Sequence, residues 1–248
     1  VESIVYMSDG LKVKGYVAYP LKSGKYPSIV WCRGGIGDSG AIDEFNARGM
    51  FGKLASWGYV VFAPQYRGNS NSEGIDEFGG SDVNDITNIM EIAKSYAQAD
   101  TDNWGIEGWS RGGLMTYLML TKSDKFKAAI ILGGISNVRN AVNTPLLFNR
   151  IQELSDNSFG LDDFNSLINK RSVINFVQKL NKETPMLIIH GNKDDRVLVK
   201  DPVELSTKLL ENENIFRLVL LEGGDHFLKT HRNEVDEMRK QWYKKYLG

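Results

Sequence analysis

The chain has 248 residues, 30 Lys and Arg against 31 Asp and Glu for a net charge of −1, 42% apolar residues and one cysteine, Cys32. That length suffices for one large α/β domain with a sizeable core, and balanced charge without a basic block argues against nucleic acid as a partner, because phosphate binding draws on clustered Lys and Arg. The longest apolar runs, Tyr59–Ala63 and Ala128–Leu132, fall far short of the roughly 18 residues that span a bilayer. A lone cysteine closes no internal disulfide. The expectation is a soluble protein without a membrane partner, slightly favouring the cytoplasm, with oligomeric state open. Val1 follows no charged and apolar leader pattern, which reads as a trimmed chain or one whose leader is gone.

Ile4–Met7 and Val13–Tyr19 flank Asp9-Gly10, which predicts two antiparallel strands and a tight turn. Six further apolar, β-branched runs read as buried strands: Ser28–Cys32, Tyr59–Ala63, Trp104–Gly108, Ala128–Leu132, Met186–His190 and Phe216–Leu221. Between them, apolar residues recur at three and four through Glu44–Trp57, Ser81–Tyr96, Gly112–Thr121, Pro202–Leu210 and Asn233–Tyr246, which predicts helices. The alternation defines an α/β class, with a mostly parallel eight-stranded sheet covered on both faces. Residues 136–184 are too long for a plain crossover and predict extra helices forming a cap. Leu146, Leu147, Phe148, Phe159, Leu161, Phe164 and Ile168 are expected to give that insertion an apolar face of its own. Without repeats or a linker, residues 1–248 read as one domain.

Gly108-Trp109-Ser110-Arg111-Gly112 is the only G-x-S-x-G in the chain. It follows a predicted strand and opens a predicted helix, as a nucleophile elbow requires. A serine hydroxyl needs a base to take its proton, and three histidines are available. His190 ends a strand, where packing or a hydrogen bond is its plainer role, and His231 opens the last helix among solvated residues. His226, in Gly223-Gly224-Asp225-His226-Phe227, follows the final strand in a loop able to reach over the sheet edge, and is the expected base. The orienting acid belongs on the loop after the preceding strand, where Asp194 is chosen; Asp195 is expected to pair Arg196 or cap the next helix. Oxyanion donors are expected from the backbone N–H of Arg111 and from the loop Arg33-Gly34-Gly35-Ile36-Gly37, with Gly35 first and Gly34 next. Tyr66-Arg67-Gly68 is expected to shape a loop beside the site, and Trp109 to pack under the elbow. No His-x-x-x-His pair or cysteine cluster points to a metal, and no cofactor is expected.

The chain resembles the catalytic domain of the prolyl oligopeptidase family, an α/β-hydrolase fold. The likeness is carried by "SDGLKVKGYVAYP", "RGGIG", "APQYRGN" with "FGGSDVNDI", "GWSRGG", "PMLIIHGNKDDRV" and "GGDHF". It implies a triad of Ser110, Asp194 and His226. Relatives often carry an N-terminal propeller that this sequence lacks. Several place Tyr where this chain has Arg111, some an oxyanion Tyr where it has Arg33, and proline-specific members have pocket aromatics where it reads Ile135–Ala141, so a proline-stacking box is not expected. Arg33 and Arg111 are expected near the mouth, drawing in a substrate carboxylate or lying as paired surface arginines. The expected function is hydrolysis of small esters or short peptides through an acyl-enzyme, residues 136–184 shaping the acyl pocket. The alternative is a non-catalytic binding module on the same fold. A carboxylate nucleophile is disfavoured by the serine at the elbow.

Overall fold

A computed structural model describes residues 1–141, 143–158 and 162–248. All eight predicted strands form: β1 (Glu2–Ser8), β2 (Leu11–Ala18), β3 (Tyr26–Cys32), β4 (Val60–Pro64), β5 (Ala99–Trp109), β6 (Phe126–Leu132), β7 (Met186–Gly191) and β8 (Phe216–Leu221). They make one sheet in the order β1-β2-β4-β3-β5-β6-β7-β8, antiparallel at the β1–β2 and β2–β4 pairs and parallel from β4 to β8. The β1–β2 turn holds Asp9 at φ 50° and Gly10 at φ 82°, the double positive φ that matches a hairpin's twist. β4 and β7 are buried along their whole length, because helices cover both faces of the sheet.

Helices α1 (Glu44–Ser56), α2 (Asn84–Ile92), α3 (Arg111–Leu120), α7 (Lys200–Glu211) and α8 (Arg232–Tyr246) supply that cover. Phe51 and Leu54 of α1 share one apolar cluster with Trp242 and Tyr243 of α8. Ile86 and Ile89 of α2, Leu114 of α3 and Leu205 of α7 belong to another. The predicted Ser81–Tyr96 helix is shorter as α2 and is flanked by single 3-10 turns at Ser81–Val83 and Ala93–Ser95. β5 starts earlier than its apolar run, as polar Ala99–Asn103 extends it along Tyr26 and Pro27 before a register shift.

After β6 the chain forms α4 (Val138–Ala141), α5 (Pro145–Asp156) and α6 (Phe164–Arg171). Its expected apolar face needs correction. Leu147, Ile151, Leu167 and Ile168 point inward, whereas Leu146 and Phe148 are 54% and 44% exposed. At a period near 3.6, three consecutive residues cannot share one helix face. Phe148 instead packs on Phe164 with ring centroids 5.2 Å apart; Phe159 and Leu161 lie outside the described residues. A cavity of about 640 Å³ separates α5 and α6 from the loop at Ile75–Val83, and neither Ser110, Asp194 nor His226 lines it.

Candidate active site

Ser110 sits between β5 and α3 at φ 57°, ψ −120°, a region that costs a non-glycine residue about 1–3 kcal/mol. The turn is pinned from both sides. Ser110 N–H donates to Leu132 O at 2.9 Å, and Ser110 O accepts from Gly113 N at 2.9 Å and Ile135 N at 3.3 Å. Two glycines make room for it: a Cβ on Gly108 would lie 2.0 Å from Gly112 O, and one on Gly112 would lie 1.9 Å from Cys32 O.

His226, 3% exposed, stands after β8 with Nε2 3.0 Å from Ser110 Oγ and Nδ1 2.7 Å from Asp194 Oδ2. A carboxylate only accepts, so Nδ1 carries the proton and Nε2 is left to accept from the serine hydroxyl. Asp194 Oδ1 accepts from the N–H groups of Arg196 and Val197, each at 2.9 Å. Burial opposes ionisation of Asp194, but the His226 hydrogen bond and charge, with those two amides, outweigh it and hold the carboxyl below its usual range. Gly133, at φ 52°, brings the loop after β6 against this pair, where a Cβ would meet Asp194 Oδ2 at 3.4 Å. Trp109 Nε1 donates to His226 O at 3.1 Å, and its ring centroid lies 5.3 Å from the imidazole's.

The other histidines lie as their positions suggested. His190 is wholly buried with Nε2 2.7 Å from Val197 O, so it braces the Asp194 loop, and burial pushes its pKa down. His231 meets its neighbour Thr230 through Nδ1 at 3.0 Å. Asp195 is exposed and neither pairs Arg196 nor caps α7 among the described residues. Within the Tyr66-Arg67-Gly68 loop, Arg67 is tied to Asp85, at 2.7 Å, and to Asp9.

The two arginines require a correction. Neither faces the mouth, since Arg33 is 0% and Arg111 1% exposed. Arg111 pairs with Asp76 at 2.5 Å and with Asp82 at 2.6 Å. Burial and the neighbouring Arg111 charge act in opposite senses on Asp76, and the charge prevails, holding its carboxyl down at about 2. Asp82, fully enclosed, is raised by burial. Sequence reasoning missed both acids. The signal was there, however, because α3 is apolar on all sides, and an arginine in a helix buried all round must find acids or carbonyls.

The expected oxyanion loop passes directly by the elbow. A Cβ on Gly34 would lie 3.0 Å from Trp109 O and 3.2 Å from Ser110 Cβ, and Gly35 takes φ +81°. Among the described residues, the N–H groups of Gly34, Gly35 and Arg111 have no protein acceptor. No group of three or more potential metal ligands occurs among the described residues, and no helix there is long and apolar enough to cross a membrane.

A family model described as the prolyl oligopeptidase family matches residues 47–248. The chain belongs to that family. Membership makes it an enzyme of the serine-peptidase class. Among its prolyl oligopeptidase relatives, "Uncharacterized peptidase YtmA" of Bacillus subtilis is 31% identical over 98% of this chain and 92% of its own length. Dipeptidyl-peptidase 5 of Aspergillus oryzae is 27% identical over 100% of this chain, which spans only 36% of it. The solved Pyrococcus horikoshii acylaminoacyl peptidase superposes with TM-score 0.81 at 26% identity, covering 99% of this chain and 41% of that one. An acylaminoacyl peptidase in complex with Z-Gly-Gly-Phe-chloromethyl ketone gives TM-score 0.82 at 26% identity.

Proposed function

We propose that this prolyl oligopeptidase family member cleaves short peptides and small esters through an acyl-enzyme, with Ser110 as nucleophile, His226 as general base and acid, and Asp194 as the residue that orients the imidazole. The observation that carries this reading is the unbroken run Asp194 Oδ2, His226, Ser110 Oγ at 2.7 and 3.0 Å. Ser110 Oγ attacks the acyl carbon while its proton passes to His226 Nε2. Asp194 stabilises the imidazolium, and the N–H groups of Arg111 and Gly35 receive the oxygen that turns negative. His226 then returns the proton to the leaving amine or alcohol, and water repeats the sequence on the acyl-enzyme. In this reading residues 1–248 act as one α/β-hydrolase domain, with 136–184 as a helical cap that shapes the acyl pocket. The peptide-like ligand named for the acylaminoacyl peptidase supports a peptide substrate, and an acyl-enzyme route serves esters as well, since the two differ only in the group that leaves.

A fluorophosphonate probe should label the wild type and leave Ser110→Ala unlabelled, with kcat on aminoacyl or dipeptidyl p-nitroanilides and p-nitrophenyl esters falling by roughly 10⁶-fold. Labelling or turnover retained in Ser110→Ala would overturn the assignment. A wild type that neither labels nor turns over any of these substrates would favour a binding module instead.

A further inference from the structure

Arg33 carries a full positive charge to complete burial, and no carboxylate oxygen lies within 4.0 Å of it among the described residues. Burying a cation without an acid is costly, so what the guanidinium does hold is informative. Every donor it uses ends on a backbone carbonyl: Nε on Gln65 O at 2.9 Å, Nη1 on Gly34 O at 2.9 Å and Nη2 on Gly37 O at 2.8 Å. Arg111 approaches the same loop from the elbow, where its Nη1 donates to Gly35 O at 3.0 Å as well as to Asp76 Oδ2 at 2.7 Å. Asp76 Oδ2 in turn accepts from Gly37 N at 3.0 Å. The Tyr66 ring is close to both cations, its centroid 5.5 Å from the Arg33 guanidinium carbon and 5.0 Å from that of Arg111.

We propose that Arg33 and Arg111 are positioning residues for the oxyanion pocket, gripping the carbonyls on either side of Gly35 so that its N–H is aimed at the oxygen developing on the substrate. In a trans peptide the C=O and N–H point in opposite directions. Holding Gly34 O against the buried Arg33 therefore turns the Gly35 N–H the other way, and holding Gly35 O against Arg111 stops the following plane from rotating it. Gly35 needs this restraint, because glycine at φ +81° has little intrinsic preference to keep that conformation. The inference rests on the reading of Ser110 as nucleophile and Gly35 as donor.

Arg33→Lys and Arg111→Lys test it, each keeping a buried cation while losing the fork that spans several carbonyls. Turnover of p-nitrophenyl esters is measured per Ser110 labelled by fluorophosphonate, so unfolded protein does not count. The kcat per labelled site is expected to fall about 10- to 100-fold with KM within about twofold, less than loss of a whole oxyanion donor. Affinity for a peptide aldehyde should weaken by the same factor. That reagent reports the pocket because Ser110 Oγ adds to its carbonyl carbon, the hydroxyl proton passing to His226 as the carbonyl electron pair becomes the oxyanion. A merely structural role would lower the labelled fraction or Tm without moving either per-site value. If either variant fails to fold, the other decides. Unchanged per-site kcat, or a loss confined to KM, overturns the proposal. A wild type unlabelled at Ser110 would instead remove the reading on which it stands.

Discussion

Asp194 gives its two oxygens to different partners, Oδ1 to the Arg196 and Val197 amides and Oδ2 to His226. An asparagine there keeps its carbonyl oxygen on the amides, so its NH₂ faces Nδ1 and forces the wrong imidazole tautomer. Asp194→Asn is expected to lower kcat about 10⁴-fold, while Asp195→Asn, at an exposed position, stays within about twofold; ester kinetics on the pair separate the adjacent aspartates. That Ser110, Asp194 and His226 converge was legible because chain order and loop position are one-dimensional information. The partners of Arg111 were not, since Asp76 and Asp82 lie 35 and 29 positions away on a loop whose path is decided by packing. Thus the same sequence that pointed to these converging side chains hid the charge network beneath them.

At the next scale, α7 is joined to α4 by Asp201. This carboxyl is 1% exposed, accepts from Asn140 Nδ2 at 2.6 Å, and its main-chain oxygen accepts from Ser136 Oγ at 3.3 Å. Burial, only partly offset by the Asn140 bond, raises its pKa from 3.8 to about 6. Because the folded value lies above the unfolded one, this group's contribution is fully present below pH 3.8 and is lost as pH rises through about 6. Asp201→Asn removes that loss. The variant should be more stable than wild type by about 1 kcal/mol above pH 7, a Tm increase of about 2–4 °C that shrinks toward pH 4, as thermal melts at the two pH values would show. The elements themselves were readable wherever apolar period was strong, as in β4, β7 and α3. They were less so where neighbours impose structure on polar sequence, as in Ala99–Asn103 of β5, or where an insertion turns part of its apolar surface outward, as at Leu146 and Phe148.

For the molecule as a whole, one buried acid ties the last helix to the middle of the sheet. Glu107 of β5 accepts from Arg239 at 2.6 Å, from the Tyr243 hydroxyl at 3.1 Å and from Trp31 Nε1 at 3.3 Å, while Arg239 also meets Asp236. Removing one partner leaves an uncompensated charge, whereas removing both does not. Arg239→Leu is expected to cost about 3 kcal/mol and lower Tm by about 6–12 °C; Glu107→Gln combined with Arg239→Leu should recover much of that, and a double-mutant cycle by denaturant unfolding would measure the coupling. The anchored sheet carries the strained turn at Ser110, and hydroxyl, imidazole and carboxylate already stand in bonding contact above it. On the proposed reading, no acyl donor has to assemble these groups, so none is turned away by failing to do so. Discrimination falls on admission and fit around the acyl group, and tolerance of small activated donors is the natural companion of machinery set in advance.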